Sequence, residues 1–199
     1  MSSKKIKYLL FDLGGVIIFS KKFNFEKFDR KWGLPKGTVE KIVNLCFEKM
    51  STDKNFNLKK YLADNFSSSL NLDKYKEVTN ELFKKEKINK SLINWIRKKR
   101  KKYIICLLTN NTLSLKRLLR KKFKIYHNFN YIFNSAEIGL VKSQRRFFKY
   151  VLKTLKAVPE ECLFIDNNQL NIKVAQSLGL NTFLFTTNKD FFKKISKLL

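Results

Sequence analysis

The strongest constraint on the fold of this chain is a set of short apolar runs, each followed at once by a polar residue. These runs are 8–11 before Asp12, 104–108 before Thr109 and 163–165 before Asp166. Continuous apolar runs of this kind are typical of parallel strands that are covered on both faces. Ligands of open parallel sheets bind at the carboxyl ends of the strands, where these polar side chains would meet. The pattern predicts two carboxylates and a hydroxyl at one edge of a sheet.

Strands and helices alternate along the second half of the chain. Strands are predicted at 104–108, 131–133, 163–165 and 182–185, and helices at 113–122, 144–155, 171–178 and after Asn188. Alternation with right-handed crossovers produces a parallel sheet with helices on its faces. We therefore expect an α/β fold whose core, residues 1–19 and 91–199, is a Rossmann-like, doubly wound parallel sheet.

The segment between the first strand and this alternating region has a different pattern. Apolar residues recur at helical spacing over 39–50, 58–66, 75–82 and 92–96. We expect residues 20–90 to form an inserted, all-helical cap domain. Phe19, Phe23 and Phe25 lie near its start, where they could line a substrate pocket, but core packing is the simpler interpretation because Phe is frequent in this chain.

The net charge of +27 permits two interpretations. Such a charge attracts nucleic acids and other anions without regard to their sequence. It is also expected from compositional bias, since lysines outnumber arginines 36 to 7 and arginine is the usual choice where phosphate groups are recognised. No nucleic-acid recognition motif accompanies the charge. Compositional bias is therefore the favoured interpretation.

Other features of the sequence argue against several classes of protein. Apolar residues make up 44% of the chain, as in globular proteins. No segment fits a signal peptide or a membrane span, and Cys46, Cys106 and Cys162 lack metal-binding spacing. We expect buried, reduced thiols in a cytoplasmic protein without membrane association, as a monomer or a homodimer. His127 is the only histidine, which argues against a His-based triad or a multi-histidine metal site.

Four segments together resemble the sequence motifs of one family, the haloacid dehalogenase-like hydrolases. In chain order they are Phe11-Asp12-Leu13-Gly14-Gly15-Val16, Leu108-Thr109-Asn110, Gly139-Leu140-Val141-Lys142 and Phe164-Ile165-Asp166-Asn167. The helical segment between the first and second motifs is similar to the small C1-type cap of subfamily I. The resemblance covers essentially the whole chain, and each motif lies at a predicted strand end or helix start.

The resemblance implies a phosphoryl-transfer site. Asp12 would be the nucleophile and form an aspartyl-phosphate. Thr109 and Asn110 would hydrogen-bond the phosphoryl group, which Gly15 would also contact. Lys142 would neutralise charge on the nucleophile and on the phosphoryl oxygens. The substrate would be a small phosphorylated metabolite, selected by the cap.

The same resemblance implies a magnesium site. Asp12, Asp166, Asn167 and the backbone carbonyl of Gly14 would surround Mg²⁺, a hard cation that takes oxygen ligands. Asn167 replaces a second acid that is often found in the fourth motif, so the negative charge near the metal is reduced. Ser143 stands where a proline usually follows the lysine of the third motif.

One departure from the family pattern bears directly on function. Phosphatases of the family usually carry a second Asp two positions after the nucleophile, as general acid and then base, and this chain has Gly14 there. A positioned proton donor typically contributes about 10²–10⁴-fold to a rate.

Three interpretations of Gly14 are open. The protein would be a Mg²⁺-dependent phosphatase that uses a water, or a substrate with a good leaving group such as an anomeric or acyl phosphate. It would alternatively be a 2-haloacid dehalogenase, because a halide leaves without a proton. It would otherwise be a degenerate domain that binds RNA or protein through its basic charge. The phosphatase is the favoured interpretation, since a dehalogenase needs no metal although Asp166 is present.

Overall fold

The computed structural model describes residues 5–66 and 69–199 of the chain. Its strands are β1 (Tyr8–Phe11), β2 (Ile18–Ser20), β3 (Glu86–Ile88), β4 (Ile104–Thr109), β5 (Tyr131–Asn134), β6 (Cys162–Asp166) and β7 (Asn181–Leu184). Among the described residues, five strands form a parallel sheet in the order β5-β4-β1-β6-β7. The remaining two, β2 and β3, form an antiparallel ribbon.

Helices occupy both the connections of the sheet and the long insertion after β2. They are α1 (Glu26–Lys31), α2 (Thr38–Thr52), α3 (Leu58–Phe66), α4 (Leu72–Lys84), α5 (Lys90–Lys99), α6 (Leu115–Arg117), α7 (Ser135–Ile138), α8 (Arg145–Leu155), α9 (Gln169–Gln176) and α10 (Asn188–Lys194). Between β4 and β7 the chain alternates between strands and helices, as the sequence predicts.

Both faces of the parallel sheet are covered. Leu9 and Phe11 of β1 belong to one hydrophobic cluster with side chains of α5 and α10, whereas Leu10 belongs to a second cluster with side chains of α8 and α9. Leu10 pairs in register with Cys106 of β4 and with Phe164 of β6. Burial on both faces explains why these strands are continuously apolar, and it confirms the predicted doubly wound α/β sheet.

The inserted helices α1 to α4 bury a hydrophobic cluster of their own. It includes Phe28 of α1, Val43 of α2 and Val78 of α4. Asp29 is buried beneath the start of α2, where its carboxylate accepts hydrogen bonds from the N–H groups of Gly37 (2.8 Å) and Val39 (2.9 Å). A separate cluster is what an inserted domain requires, and the assignment of residues 20–90 to a cap remains a proposal.

The ribbon of β2 and β3 joins the insertion to the core. Ile18 pairs with Ile88 and Ser20 pairs with Glu86. The chain therefore leaves the core and returns to it on two adjacent strands. Immediately after β3, the side-chain amide of Asn89 donates to the carbonyl of Val16 at 3.0 Å. The helical periodicity of the segment does not predict this ribbon, because each strand has three residues and its partner is far away in the sequence.

The segment 113–122, predicted as one helix, is more irregular. The short α6 continues directly into a π-helical turn, Leu118–Lys122, which closes with a hydrogen bond from Phe123 N–H to the Leu118 carbonyl at 3.0 Å. The wider turn keeps both Leu119 and Phe123 in the core. Such π turns interrupt α-helices mostly as single turns.

The cysteines fit the expectation from the sequence. Cys46, Cys106 and Cys162 are buried and free, and burial raises the pKa of each thiol. None of the helices in the described residues combines the length and the apolar character needed to cross a membrane.

Candidate active site

Four neighbouring strands of the sheet deliver buried polar side chains to the same edge. Asp12 directly follows β1, Thr109 ends β4, Asn134 ends β5 and Asp166 ends β6. Each of these residues is less than a tenth exposed. Because the strands are parallel and adjacent, residues that are far apart in the sequence come together at this edge.

Lys142 connects the two carboxylates. Its Nζ lies 2.5 Å from Oδ1 of Asp12 and 2.8 Å from Oδ2 of Asp166, and the lysine is only 3% exposed. A buried charge is costly unless it is paired and hydrogen-bonded. The ammonium group therefore has a fixed position between the two acids, as the sequence predicts for a site in which they converge.

The carboxyl group of Asp12 is placed in an environment that alters its acidity. Its pKa is raised to about 6, mainly because the group is buried; the ammonium group of Lys142 lowers the pKa, and the negative charge of Asp166 raises it. At neutral pH the carboxylate is ionised, as a nucleophile must be.

Asp166 is held by two groups besides the lysine. Its Oδ1 accepts from the backbone N–H of Asn168 at 2.7 Å, and its Oδ2 accepts from the side chain of Asn171 at 3.0 Å. Sequence analysis does not identify Asn171. Its signal is a polar residue on the inward face of α9, beside the buried Ile172.

The loop after β4 is fixed by hydrogen bonds to neighbouring segments. Asn110 accepts from the backbone N–H of Lys142 at 3.1 Å, so this predicted phosphate-binding residue contacts the loop that carries the lysine. Ser135 accepts from the N–H of Asn111 at 3.1 Å, and Asn134 donates to the carbonyl of Thr112 at 2.9 Å. Sequence analysis also misses Asn134 and Ser135, since they act on the backbone and belong to no motif quoted above.

Gly15 and Asn167 are in close contact. Gly15 has a left-handed backbone with φ of +78°, and a Cβ atom built on it would lie 2.3 Å from Nδ2 of Asn167. Only glycine fits at this position without displacing Asn167. Only after a half-turn of the Asn167 amide would its nitrogen donate to the Gly14 carbonyl at 3.0 Å and to Oδ2 of Asp12 at 3.3 Å.

The oxygen atoms of Asp12, Gly14 and Asn167 suit a hard divalent cation. The amide oxygen of Asn167 faces the Gly14 carbonyl and Oδ2 of Asp12, so these three oxygens face one another. Carboxylate, backbone carbonyl and amide oxygens are ligands that Mg²⁺ accepts, and this ion usually keeps several waters or substrate oxygens as well. No group of three or more His, Cys, Asp or Glu side chains gathers in the described part of the chain. The residues present therefore suit Mg²⁺ better than a soft metal.

Gly14 presents no side chain at the position of the usual proton donor. A Cβ atom built on Gly14 would meet nothing within 4 Å, and its φ lies outside the left-handed region. The backbone there would accept another residue without strain, and the space that its side chain would occupy is open.

A cavity of about 770 Å³ lies above this edge of the sheet. Most of the predicted site residues line it, namely Asp12, Gly14, Gly15, Thr109, Asn110, Lys142 and Asn167. Asp166 is linked to the cavity by its ion pair with Lys142. The opposite wall comes from α2 and α4. Phe19 also lines the cavity and is 39% exposed, so its assignment to core packing is wrong.

Comparisons with known proteins agree with this arrangement. The family model for haloacid dehalogenase-like hydrolases matches residues 6–179. The chain is 29% identical over 141 residues to bifunctional epoxide hydrolase 2 of Rattus norvegicus, a match that covers 68% of this chain and 24% of that protein. The chain thus spans about a quarter of the length of those epoxide hydrolases. It is 24% identical over 208 residues to D-ribitol-5-phosphate phosphatase of Bacteroides thetaiotaomicron, with 98% of each chain covered.

Solved structures show the same fold. A HAD family enzyme from Bacteroides thetaiotaomicron superposes with a TM-score of 0.78 at 24% identity, covering 96% of this chain and 99% of that one. The wild-type form of that enzyme in complex with magnesium and inorganic phosphate has a TM-score of 0.74 at 25% identity, covering 92% and 96%. The relatives therefore include a protein whose structure contains both a metal ion and phosphate.

Proposed function

Because this chain belongs to the haloacid dehalogenase-like hydrolase family, we propose that it is a Mg²⁺-dependent phosphatase of a small phosphorylated metabolite. The observation that carries the proposal is the buried contact of Lys142 with both Asp12 and Asp166 at the floor of the cavity. Such a cluster is typical of a catalytic site.

In the proposed reaction, Asp12 attacks the phosphorus atom of a monophosphate. A bond forms between an Asp12 carboxylate oxygen and phosphorus, while the bond from phosphorus to the ester or acyl oxygen of the substrate breaks. Water then attacks the phosphorus of the aspartyl-phosphate, the bond from phosphorus to the Asp12 oxygen breaks, and inorganic phosphate and the Asp12 carboxylate are released. The proton lost by the water passes through solvent and can neutralise the oxygen anion that departed in the first step. The bond of Asp12 Oδ1 to Lys142 fixes the direction from which the nucleophile approaches.

Lys142, Thr109 and Asn110 would bind the phosphoryl oxygens. The ammonium group of Lys142 supplies positive charge where negative charge develops in the transition state, and burial strengthens that interaction. Asn110 also holds the backbone of Lys142 in place through its hydrogen bond at 3.1 Å. A buried lysine that is already in position needs little reorganisation when substrate arrives.

Asp12, the Gly14 carbonyl, Asn167 and Asp166 are the residues that would hold Mg²⁺. When bound, the ion would neutralise phosphoryl charge and offset the repulsion between the Asp12 carboxylate and the anionic substrate. Asp166 has hydrogen bonds from Lys142 and Asn171 on Oδ2 and from Asn168 on Oδ1, which leaves capacity on Oδ1 for a further contact.

Gly14 restricts the substrates that the site would process quickly. It cannot give a proton to the departing oxygen, so leaving groups that depart as stable anions are favoured. Acyl phosphates and anomeric sugar phosphates satisfy this condition. A water in the open space beside Gly14 would serve poorer leaving groups at a lower rate.

The test of this proposal is hydrolysis of p-nitrophenyl phosphate and acetyl phosphate by the purified protein with MgCl₂. We expect phosphate release that EDTA and Asp12→Asn both abolish. The matched control is Asp64→Asn, the same chemical change on α3, where Asp64 forms an exposed ion pair with Lys60. That variant should retain wild-type turnover.

Two results would contradict the proposal. One is the absence of phosphate release from both compounds and from a panel of sugar 1-phosphates. The other is turnover that persists in Asp12→Asn, which would place the chemistry on another residue. Chloride release from 2-chloropropionate without metal would indicate a dehalogenase instead.

A further inference from the structure

The cavity has two chemically different halves. The half at the sheet edge carries the polar residues of the proposed phosphatase site, and the opposite half is largely apolar. On α2 the wall residues are Val43, Phe47 and Met50, at the i, i+4 and i+7 positions of one helix face. Such a stripe usually packs against another element, but here part of it faces open space.

The face of α4 that borders the cavity has the same character. Tyr75, Thr79, Leu82 and Phe83 contribute to the wall, again at the spacing of one helix face. Phe19 and Phe47 are 39% and 38% exposed, although both are large apolar side chains. Exposed aromatic side chains that border a cavity are typical of sites that bury an apolar ligand.

The described residues around the cavity carry little positive charge, although the chain as a whole is rich in lysine. Lys and Arg make up 43 of 199 residues, about one in five. Among the described residues that line the cavity, Lys142 is the only Lys or Arg. Its ammonium group is already paired with Asp12 and Asp166. In so basic a protein, a wall that binds a second anionic group would be expected to contain further cations.

The remaining charge in the cavity is negative. Glu86 lines the wall, and its carboxylate is bonded to Lys122 at 2.9 Å. Lys122 also donates to the carbonyl of Phe83 and lies 4.5 Å from the ring centroid of Phe123, so its amine is fully engaged. A second carboxylate or phosphate on the substrate would therefore face Glu86, and none of the described residues that line the cavity offers it a free cation.

We propose that the substrate is an aryl or acyl monophosphate whose organic group is apolar and carries no second anionic group. This inference rests on the proposed phosphatase function, because that function places the phosphate at Asp12 and Lys142. The organic group then extends toward Phe47 and Phe83, where it is removed from water. The affinity comes from apolar area, and the apolar walls disfavour a second charge because it would lose its hydration there.

The test uses n-alkylphosphonates, which bind as phosphate esters do but cannot be hydrolysed, so the leaving group has no influence. Their binding to the full chain with MgCl₂ is measured by titration calorimetry from methyl- to octylphosphonate. We expect one site, with Kd falling roughly fourfold for each added methylene, about 0.8 kcal/mol, until the cavity is filled. A terminal carboxylate, as in 6-phosphonohexanoate, should raise Kd at least tenfold relative to hexylphosphonate.

Two variants locate the binding surface. Phe47→Ser should weaken octylphosphonate binding roughly tenfold. The matched control is Phe192→Ser, because Phe192 lies on α10 outside the cavity and is 37% exposed, nearly the same as Phe47. This control should leave the Kd of octylphosphonate unchanged.

The inference is overturned if methyl- and octylphosphonate bind alike, if the carboxylate strengthens binding, or if no phosphonate binds. Hydrolysis of acetyl phosphate, measured separately, reports on the proposed function alone. Turnover of acetyl phosphate without a chain-length effect would retain the phosphatase and reject the apolar substrate. A chain-length effect without any turnover would retain the apolar site and reject the phosphatase.

Discussion

Gly14 and Gly15 are adjacent in the sequence, but they differ in what a side chain would meet. Gly15 has φ of +78°, and a Cβ there would collide with Asn167. Gly14 has neither restriction, since a Cβ there meets nothing within 4 Å. Backbone conformation therefore explains why position 15 is glycine. It does not explain Gly14, whose effect is to remove an acid from the site.

Restoring an acid at position 14 should speed the reaction of substrates with poor leaving groups. Gly14→Asp places a carboxyl group beside the site in open space, where it can donate a proton to the departing oxygen. We expect kcat for phenyl phosphate to rise about 10²–10⁴-fold, with a much smaller gain for acetyl phosphate, as measured by phosphate release.

The control for this experiment is Gly14→Asn, which has the same size but transfers no proton. It should not reproduce the gain. An equal increase in both variants would attribute the effect to packing, and no increase in either would show that the missing acid does not limit turnover.

The raised pKa of Asp12 should appear in the stability of the metal-free protein. The pKa rises from 3.8 to about 6 on folding, so the folded state binds more protons between these values and loses stability as the pH rises from 4 to 6. Asp12→Asn lacks this titration. The advantage of the variant in unfolding free energy should grow over that interval by at most about 3 kcal/mol and then level off.

Urea unfolding in EDTA at several pH values measures this difference. A difference between variant and wild type that stays constant from pH 4 to pH 7 would show that burial does not shift the pKa of Asp12. An advantage that shrinks as the pH rises would show a shift of the opposite sign.

The sequence predicts the charged residues of the site better than the residues that hold them in place by hydrogen bonds. Asp12, Lys142 and Asp166 are recognisable because each has a distinct proposed role and a place at a strand end or helix start. Asn171 and Asn134 hold the carboxylate of Asp166 and the loop after β4 by hydrogen bonds. Any of several polar side chains could do the same, so the sequence carries no distinctive signal for them.

At the scale of elements, α2 depends on a residue from outside itself. Its N-terminus has no capping side chain of its own, because Gly37 occupies that position. Asp29 accepts from the N–H groups of Gly37 and Val39 instead, and it is only 2% exposed. One buried carboxylate thus joins the end of α1 to the start of a helix that lines the cavity.

Removing this carboxylate should destabilise the protein more than removing an exposed cap. Asp29→Ala leaves two N–H groups without their acceptor, and we expect a loss of about 2–3 kcal/mol. Asn71→Ala removes the exposed cap of α4, which accepts from Lys74 N–H at 3.0 Å, and should cost about 1 kcal/mol. Urea unfolding of both variants measures the difference, and equal losses would contradict this role for Asp29.

Periodicity predicts the longer elements and fails for the shortest. The stripe from Val39 to Met50 identifies α2, and the run before Thr109 identifies β4, because both patterns are long and regular. The ribbon of β2 and β3 is set by pairing between Ile18 and Ile88, which local sequence does not encode. The π turn after α6 likewise depends on packing against the core.

At the scale of the whole molecule, the charge of +27 opposes compaction. Like charges are closer together in the folded than in the unfolded chain, so screening by salt favours folding. The exposed ion pairs, such as Lys60 with Asp64, weaken with salt but contribute little. We expect stability to increase by about 1–2 kcal/mol, and Tm by roughly 2–8 °C, between 0.02 and 0.5 M NaCl.

Thermal unfolding at several concentrations of NaCl and of tetramethylammonium chloride tests this expectation. Both salts should act alike at equal ionic strength, because screening does not depend on the identity of the cation. A Tm that falls with added salt would show that the ion pairs outweigh the repulsion among the lysines.

The pairing of Ser20 with Glu86 has an evolutionary consequence. Since the inserted helices begin and end at adjacent points, their length and composition can change while the parallel sheet, and with it Asp12, keeps its position. In the proposed role of that insertion as a cap, exchanging it would change the preference for substrates and would leave the proposed reacting groups in place.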